Sequence, residues 1–441
     1  MDWARYLATE RGDHGSSASE VGTSQGGVGV VQRSLSLTER TRLNLSHTWY
    51  SLVETFGLQR LRAIVSGVST LPETVEPLFL LGERYESLRK GESETEDEEE
   101  VRQRTERFAE DMASRAWVTY RSGFSPLGPS LLTTDAGWGC TIRSGQMLLL
   151  NCLFVHFKGR RWRRSGAEDK VVGAGRLSKV KETDVLSMFF DSPSPKHSLS
   201  IHNIVREGAS FGIVPGHWVG PYVLCQTFNK IFNKGGNSRA AEFLEAPIAM
   251  HLVAEAGGIP TLYRSRGYEA AGPSPWKPLL TLIPVTLGVT PSINPCYVPQ
   301  ILTVLSMPQS VGIIGGKPGS SVYVIGRQSD RILYLDPHTL KPCYSEGGKG
   351  QGTTDAQGEG EDIADSYFCD AIHHMLCGKL DPSLALGFYC RTKEDFNDLY
   401  GRLEALATKH PTTSLVSLAE EPQPEKDYNG LSTEIEGFQL Y

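Results

Sequence analysis

One cysteine of this 441-residue chain lies where a thiol would act as a nucleophile. Cys140 closes the turn 137–140 (Gly-Trp-Gly-Cys), and the nearly all-apolar run 147–155 follows at once, without Gly or Pro. We therefore predict a buried helix that begins at or near Cys140. Unpaired backbone N–H groups and the helix dipole at that end lower the pKa of a thiol and favour the reactive thiolate. The alternative is that Cys140 is a buried core cysteine, which is the common fate of this residue type.

A nucleophilic cysteine needs a base, and the base needs a group that orients it. His338 is the candidate base among eleven histidines, because it follows a predicted buried strand in the segment 335–338 (Leu-Asp-Pro-His). Side chains alternate along an extended backbone, so Asp336 and His338 would project to the same side. Asp336 would then hold the imidazole in one tautomer and stabilise the imidazolium. Asp-Pro also favours turns, so the alternative interpretation is a simple turn.

Two further sets of residues bear on the chemistry. Acyl transfer needs a hydrogen-bond donor for the oxyanion, and the phenolic O–H of Tyr120, which precedes the cysteine turn, is the candidate. Metal binding is the alternative chemistry. Cys369, His373 and Cys377 would share one face of a helix and could supply part of a metal site. That set offers three ligands in a spacing that matches no common zinc pattern. We therefore predict no metal site.

Charge and composition exclude several functional classes. The net charge is −7 with acidic and basic residues interspersed, so no footprint for nucleic acid is indicated. The short basic cluster 158–164 is interpreted as a solvated helix end. No segment is apolar enough for a membrane span, and the first residues lack the pattern of a secretory signal. Eight cysteines without a framework spacing favour reduced thiols and a cytoplasmic protein.

Strand and helix signals are mixed along the chain without βαβ alternation, which predicts an α+β fold. The segments 321–326 and 331–336 predict a hairpin. Thr392 and Asp395 predict a capped helix after a final strand at 383–390.

Several segments are predicted to lie outside the folded core. Residues 1–40 and 411–441 are predicted to be disordered tails, because both are polar and poor in large apolar residues. The Gly-rich segment 346–362 is predicted to be a flexible insertion, and the acidic run 91–100 a surface loop.

Several motifs, in the right order, resemble those of the autophagins, a family of autophagy cysteine peptidases with a papain-like fold. The segments 137–140 and 143–147 together resemble the nucleophile motif of that family. The other matching segments are 117–121, 274–278, 307–320, 333–338 and 380–398. The resemblance extends over about 105–410 and implies a papain-like core over 41–410, with a smaller inserted subdomain at about 190–260. Residues 1–105 match no motif of the family.

The resemblance also implies roles for named residues. Cys140 would be the nucleophile, His338 the base, Asp336 the orienting acid and Tyr120 the oxyanion donor, and no cofactor is implied. A mobile loop over the cleft would pack against Trp218 until substrate lifts it. The loop residues are Lys317, Pro318, Gly319 and Ser320.

The substrates implied by the resemblance are ubiquitin-like autophagy modifiers, cut after a C-terminal glycine. The same cut would release them from phosphatidylethanolamine, so contact with autophagic membranes would pass through the substrate. Tyr428 and Leu431 form an aromatic-x-x-aliphatic pattern that would add as a strand to the edge of the modifier's sheet. One alternative function is a weakly active modifier-binding protein of the same fold, regulated by its tails. Another is a different cysteine acyltransferase.

Overall fold

The computed structural model describes most of the chain from residue 74 to residue 422, with gaps. The described residues are 74, 76–87, 97–164, 180–233, 248–253, 258–272, 274–289, 291–317, 319–344, 366–368 and 371–422. The predicted N-terminal tail (1–40) and the predicted insertion (346–362) lie outside them.

The fold mixes strands with helices of six to nineteen residues, as expected for an α+β protein. The strands are β1 (Leu78–Leu80), β2 (Glu83–Tyr85), β3 (Tyr120–Ser122), β4 (Ala249–Leu252), β5 (Thr261–Tyr263), β6 (Leu279–Thr286), β7 (Ser310–Lys317), β8 (Ser320–Gln328), β9 (Arg331–Leu335), β10 (Leu340–Pro342), β11 (His373–Leu376), β12 (Ser383–Cys390) and β13 (Ser417–Ala419). The helices are α1 (Glu98–Ala113), α2 (Cys140–Lys158), α3 (Glu182–Ser187), α4 (Ile201–Gly208), α5 (Pro221–Asn233), α6 (Arg264–Ala271), α7 (Val298–Val304) and α8 (Lys393–Lys409).

One large sheet organises the described residues. Its strands follow the order β11-β9-β8-β7-β12-β6-β4, and β1 extends it by pairing with β8 and β2. Neighbouring strands are antiparallel, except that β4 and β6 are parallel. The predicted hairpin is confirmed as β8 and β9. The α+β prediction is confirmed as well.

Apolar cores cover both faces of this sheet. Consecutive strand residues point to opposite faces, so Ile314 and Ile325 join the core that contains α2, whereas Ile313 and Val324 join the core that contains α7 and α8. Because both faces are buried, the central strands are apolar at nearly every position, which is the pattern of 311–314 and 322–325.

The predicted helix after the cysteine turn is confirmed as α2. All of its residues are buried except Val155 and Lys158. A Cβ at Gly145 would lie 2.5 Å from the Leu224 side chain, so this glycine lets α5 approach α2 closely. The region about 190–260 thus contributes α4 and α5 to the same core as α2, and its boundaries as a subdomain stay a prediction. Within the described stretches, no helix combines the length and apolar character needed to cross a membrane.

The basic cluster after α2 is not a solvated helix end, and that interpretation is wrong. Arg160 and Arg163 reach the Asp111 carboxylate at 3.1 Å and 3.0 Å, and Arg115 reaches it at 2.9 Å. The Asp111 side chain is completely buried. A buried carboxylate must be paired, so these arginines fold back onto α1 rather than face solvent.

The predicted start of the C-terminal tail at residue 411 is also wrong. Leu415 and Val416 are buried, and β13 pairs in parallel with β5. Two apolar side chains and a short ladder thus hold 411–422 against the core, although the segment is polar on average. The rest of the predicted tail, 423–441, lies outside the described residues.

Two further local predictions need correction. The acidic run 91–100 is not all loop, because α1 begins at Glu98 with Asp97 as its N-cap, and the carboxylate of Asp97 accepts the Glu99 N–H at 3.0 Å. The helical face proposed for Cys369, His373 and Cys377 does not exist, since 373–376 is strand β11. Cys369 itself lies outside the described residues.

Candidate active site

Cys140 is the first residue of α2, as predicted. Gly139 caps the helix without a side-chain bond, and its N–H donates to the Asp135 carbonyl at 2.9 Å. The Cys140 side chain therefore lies among the unpaired N–H groups of the first helical turn. It is only 2% exposed.

Asp336 and His338 lie together as predicted, and their segment also forms a turn; the role of His338 as base stays a prediction. His338 Nδ1 and Asp336 Oδ1 form a short hydrogen bond, so the carboxylate orients the ring. The same oxygen accepts the backbone N–H of His338 at 2.9 Å, which is the hydrogen bond of an Asx turn. The Trp117 indole N–H donates to the Asp336 carbonyl at 2.7 Å and ties this turn to the chain before β3.

Tyr120 reaches the site through strand pairing. β3 runs parallel to β10, with Tyr120 opposite Leu340, so the strand that carries Tyr120 lies beside the residues that follow His338. The Tyr120 N–H donates to the Pro337 carbonyl at 2.9 Å. The Tyr120 and His338 rings meet edge to face, with centroids 5.4 Å apart.

The thiol and the imidazole are hydrogen-bonded, and their pKa values move in opposite directions. Burial raises the pKa of Cys140, but the bond and charge of His338, the Ser321 N–H and the Tyr120 hydroxyl outweigh it and lower the pKa below its usual value. Burial lowers the pKa of His338, whereas the bonds to Asp336 and Cys140 raise it to about 10. Both shifts favour a thiolate beside an imidazolium.

The third member of this group is also held in its charged form. Burial raises the pKa of Asp336, but the hydrogen bonds and charge of His338 lower it to about 2. The pKa shifts of all three groups thus favour their charged forms, namely thiolate, imidazolium and carboxylate.

Two serines at the start of β8 contact the site. The Ser320 hydroxyl lies 3.2 Å from His338 Nε2. The Ser321 N–H bonds to Cys140 and supplies a second donor beside the sulfur. Sequence reasoning placed Ser320 in a loop and missed Ser321. A backbone N–H leaves no signal in the residue type, because any non-proline residue supplies one.

The remaining candidates lie near this group or outside the described residues. Lys317 and Gly319 flank the turn between β7 and β8, Gly319 has a positive φ of 75°, and Pro318 between them is not described. Trp218, on the loop before α5, is 53% exposed. The packing of the turn against Trp218 stays a prediction, as does the motif of Tyr428 and Leu431, which is not described.

The arrangement fits covalent catalysis by a thiolate, with a base and an orienting carboxylate in line. Across the described stretches, no cluster of three His, Cys, Asp or Glu side chains is arranged to hold a metal ion.

Comparison with known proteins points in the same direction. Residues 105–402 match the family model of the peptidase C54 catalytic domain. The chain is 35% identical over 348 residues to cysteine protease ATG4A of Oryza sativa subsp. indica, which covers 76% of this chain and 69% of that protein. It is 33% identical to cysteine protease ATG4b of Arabidopsis thaliana, covering 78% of this chain and 68% of the relative. Cysteine protease ATG4B of Gallus gallus is 32% identical, with coverage of 79% and 85%.

Proposed function

The chain belongs to the peptidase C54 family and is a cysteine-type peptidase, and from this membership we propose that it cleaves ubiquitin-like autophagy modifiers after a C-terminal glycine. The proposed reaction matures the modifier precursor and also releases the modifier from phosphatidylethanolamine. Both substrates present the same glycine carbonyl, so one site serves both. We place this activity in the cytoplasm, with membranes reached through the lipid-linked substrate.

The observation that carries the proposal is the row formed by Cys140, His338 and Asp336. In the proposed mechanism the Cys140 thiolate attacks the glycine carbonyl, and the new C–S bond yields a tetrahedral oxyanion. The oxyanion collapses, the C–N bond breaks, and the His338 imidazolium gives its proton to the leaving amine. Neutral His338 then takes a proton from water, which attacks the thioester and releases the glycine carboxylate and the thiolate.

The oxyanion would be stabilised by donors already at the sulfur. The Tyr120 hydroxyl and the Ser321 N–H both bond to Cys140. We propose Tyr120 as the oxyanion donor, since a donor that touches the thiolate also lies close to the oxygen of a carbonyl bonded to that sulfur.

The low exposure of the nucleophile supports a gate. A thiol that is 2% exposed cannot be reached by a carbonyl unless a neighbour moves. Ser320, at the end of the turn 317–320, contacts His338 and Ser321 follows it, which supports this turn as the segment that opens. We propose that the substrate's extended tail lifts this turn, with Trp218 as the wall beside it, and that the segment with Tyr428 and Leu431 recruits the modifier.

The experiment that tests the proposal uses the full chain and a panel of modifier precursors. Each precursor carries residues beyond its C-terminal glycine, and a matched version has that glycine replaced by alanine. We expect intact mass spectrometry to find a product that ends at glycine, and no cut in the alanine version. Loss of lipid from modifier conjugates on vesicles tests the second substrate. Cleavage elsewhere, or none in the whole panel, contradicts the proposal.

Removing the phenolic hydroxyl is expected to slow the chemical step. The Tyr120→Phe variant keeps the ring contact with His338, so the loss should lie in kcat and be on the order of 10²-fold. Steady-state kinetics on a modifier precursor measure kcat and KM separately. Tyr389→Phe is the matched control, since its hydroxyl bonds to His156 at 2.8 Å in the core rather than to the site. Equal kcat values for Tyr120→Phe and the wild type would refute the assignment.

The rate should form a broad plateau around neutral pH. Activity rises as the Cys140 thiol ionises, and because its pKa is lowered this rise occurs below the usual value of 9.0. It falls when His338 loses its proton, near its raised pKa of about 10. Measuring kcat/KM from about pH 5 to pH 10.5 tests both limbs. A profile that still climbs steeply through pH 9, as for an ordinary thiol, would argue against the ion pair.

A further inference from the structure

A buried ionic cluster lies beside the nucleophile turn. The Arg143 guanidinium, from the first turn of α2, donates to the Asp135 carboxylate from Nε at 2.7 Å and from Nη2 at 3.0 Å. It also donates to Asp191 from Nη1 at 2.9 Å and from Nη2 at 3.2 Å. All three side chains are 1% exposed or less. Desolvation offsets most of the attraction in such a cluster, so added stability does not by itself account for its position.

The Asp135 carboxylate also fixes the strand that carries Tyr120. Its Oδ1 accepts the Arg121 N–H at 2.7 Å, and the Asp135 N–H donates to the Arg121 carbonyl at 3.3 Å. Arg121 is the next residue after Tyr120. The bonds made by Asp135 therefore hold the backbone of Arg121, directly after Tyr120, in place.

The backbone carbonyl of Asp135 fixes the nucleophile turn (137–140). The Asp135 carbonyl accepts the N–H groups of Trp138 at 3.2 Å and Gly139 at 2.9 Å. A Cβ at Gly139 would lie 2.4 Å from Asp135 Oδ2. The backbone of Gly139, with φ −82° and ψ 1°, is one that alanine also adopts. Close packing against the carboxylate, rather than backbone freedom, is what requires glycine here.

Asp191 offers an internal comparison. It binds the same guanidinium as Asp135, with the same charge and a similar burial, but it comes from the segment after α3. Asp135 precedes Cys140 by five positions and bonds to both Arg121 and the nucleophile turn. The two carboxylates thus share the Arg143 pairing and differ in their connection to the site.

We propose that Asp135 is a positioning residue, whose carboxylate sets the distance between the Tyr120 hydroxyl and the Cys140 sulfur. This inference rests on the proposed function, because it assigns to Asp135 the alignment of the oxyanion donor with the nucleophile. The Tyr120 N–H donates to the Pro337 carbonyl, next to His338. The carboxylate and the carbonyl of Asp135 together thus connect the nucleophile turn with the strand that carries the donor, and this strand contacts the segment of the base.

The test compares Asp135→Asn with Asp191→Asn. Each variant removes one negative charge from Arg143 and leaves it one carboxylate. In Asp135→Asn, the remaining oxygen can still accept from the Arg121 N–H and from Arg143 Nη2, as Oδ1 does now. The amide NH₂ group, however, replaces Oδ2, which accepts from Arg143 Nε at 2.7 Å, so two donors would face each other and the strand or the helix must shift. A displacement of about 1 Å at reacting atoms costs on the order of 10²-fold in rate. We expect kcat to fall by about that factor in Asp135→Asn, with KM little changed, and by less than about 5-fold in Asp191→Asn.

A second readout needs no protein substrate. Iodoacetamide alkylates the thiolate, and peptide mass spectrometry assigns the modification to Cys140. We expect Asp135→Asn to need a higher pH than the wild type for the same alkylation rate, because the donors that stabilise the thiolate shift away. Asp191→Asn should follow the wild-type profile. If the wild type cleaves no modifier precursor, the proposed function fails, whereas the alkylation profiles still decide the role of Asp135.

Equal losses of kcat in the two variants, or an unchanged alkylation profile in Asp135→Asn, would overturn the proposal and leave a purely structural ion pair. Thermal unfolding shows whether both variants are folded at the assay temperature.

Should Asp135→Asn not fold, Gly139→Ala tests the same contact, because the methyl group of the alanine would push against Asp135 Oδ2. We expect kcat to fall on the order of 10²-fold, and a wild-type kcat in Gly139→Ala would equally overturn the proposal.

Discussion

Replacing Cys140 with alanine is expected to lower kcat/KM for a modifier precursor by roughly 10⁵-fold or more, to the background of the assay. The reason is that the thiolate forms the only covalent bond to substrate in the proposed mechanism, so no partial pathway survives its removal. The variant should still bind the precursor, because the alanine removes a single buried sulfur and leaves α2 intact. Gel-based cleavage measures the first effect, and calorimetric titration of the precursor measures the second.

Cys152 is the matched control for this experiment. It lies on the same helix and is 1% exposed, but burial raises the pKa of its thiol, with a small opposing effect from Arg391. Cys152→Ala should keep kcat within a few-fold and lower the free energy of unfolding by about 1 kcal/mol, the cost of a small core cavity. Cleavage that persists in Cys140→Ala would exclude this residue as the nucleophile. A wild type that binds the precursor but cleaves no better than Cys140→Ala would favour the binding-protein alternative.

The elements that bear the site were predictable because their signals are local. The helix α2 follows from the nearly all-apolar run 147–155, shortly after a glycine-rich turn, and helices that are apolar on nearly every face are buried. The pairing of Asp336 with His338 follows from a spacing of two residues at the end of a strand. The hairpin of β8 and β9 follows from two β-rich segments with a short polar turn between them.

The contacts that assemble the site were not predictable, because they join distant parts of the chain. The parallel pairing of β3 with β10 brings Tyr120 to His338, and neither strand exceeds three residues. The Ser321 N–H reaches Cys140 only because the sheet places the start of β8 there. Such pairings depend on the register of the whole sheet, which a single sequence does not specify.

Buried charges were the other feature that sequence reasoning misjudged. The Asp135 and Arg143 pair was readable in principle, since these are the two charged residues around a helix start that carries no other charge. Their partner Asp191 is far along the chain and gives no such signal. The cluster of Arg160 and Arg163 on Asp111 was interpreted as solvated, because a run of arginines says nothing about a carboxylate on another helix. Local charge patterns identify pairs within one element only.

Replacing His338 with alanine is expected to lower kcat/KM by about 10⁴-fold or more, since the variant has neither a proton donor for the leaving amine nor a base for water. The variant also tests the ion pair. Burial raises the pKa of the Cys140 thiol, and His338 supplies the largest opposing contributions. Without the imidazole, the alkylation rate of Cys140 near pH 7 should fall, and its rise should move to or above the ordinary thiol pKa of 9.0. Iodoacetamide labelling across that pH range measures the shift.

His373 provides a stringent control, because it lies opposite Tyr334 in the sheet and its charge acts on the same Asp336 carboxylate. Its ring stacks on Tyr334, with centroids 5.5 Å apart, and burial lowers its pKa, so it is poorly suited to hold a proton beside a thiolate. His373→Ala should therefore retain kcat/KM within a few-fold and leave the alkylation profile of Cys140 in place. If His373→Ala lost as much activity as His338→Ala, the two imidazoles would share the base role. If His338→Ala kept the wild-type alkylation profile, some group other than His338 would be responsible for ionising the nucleophile.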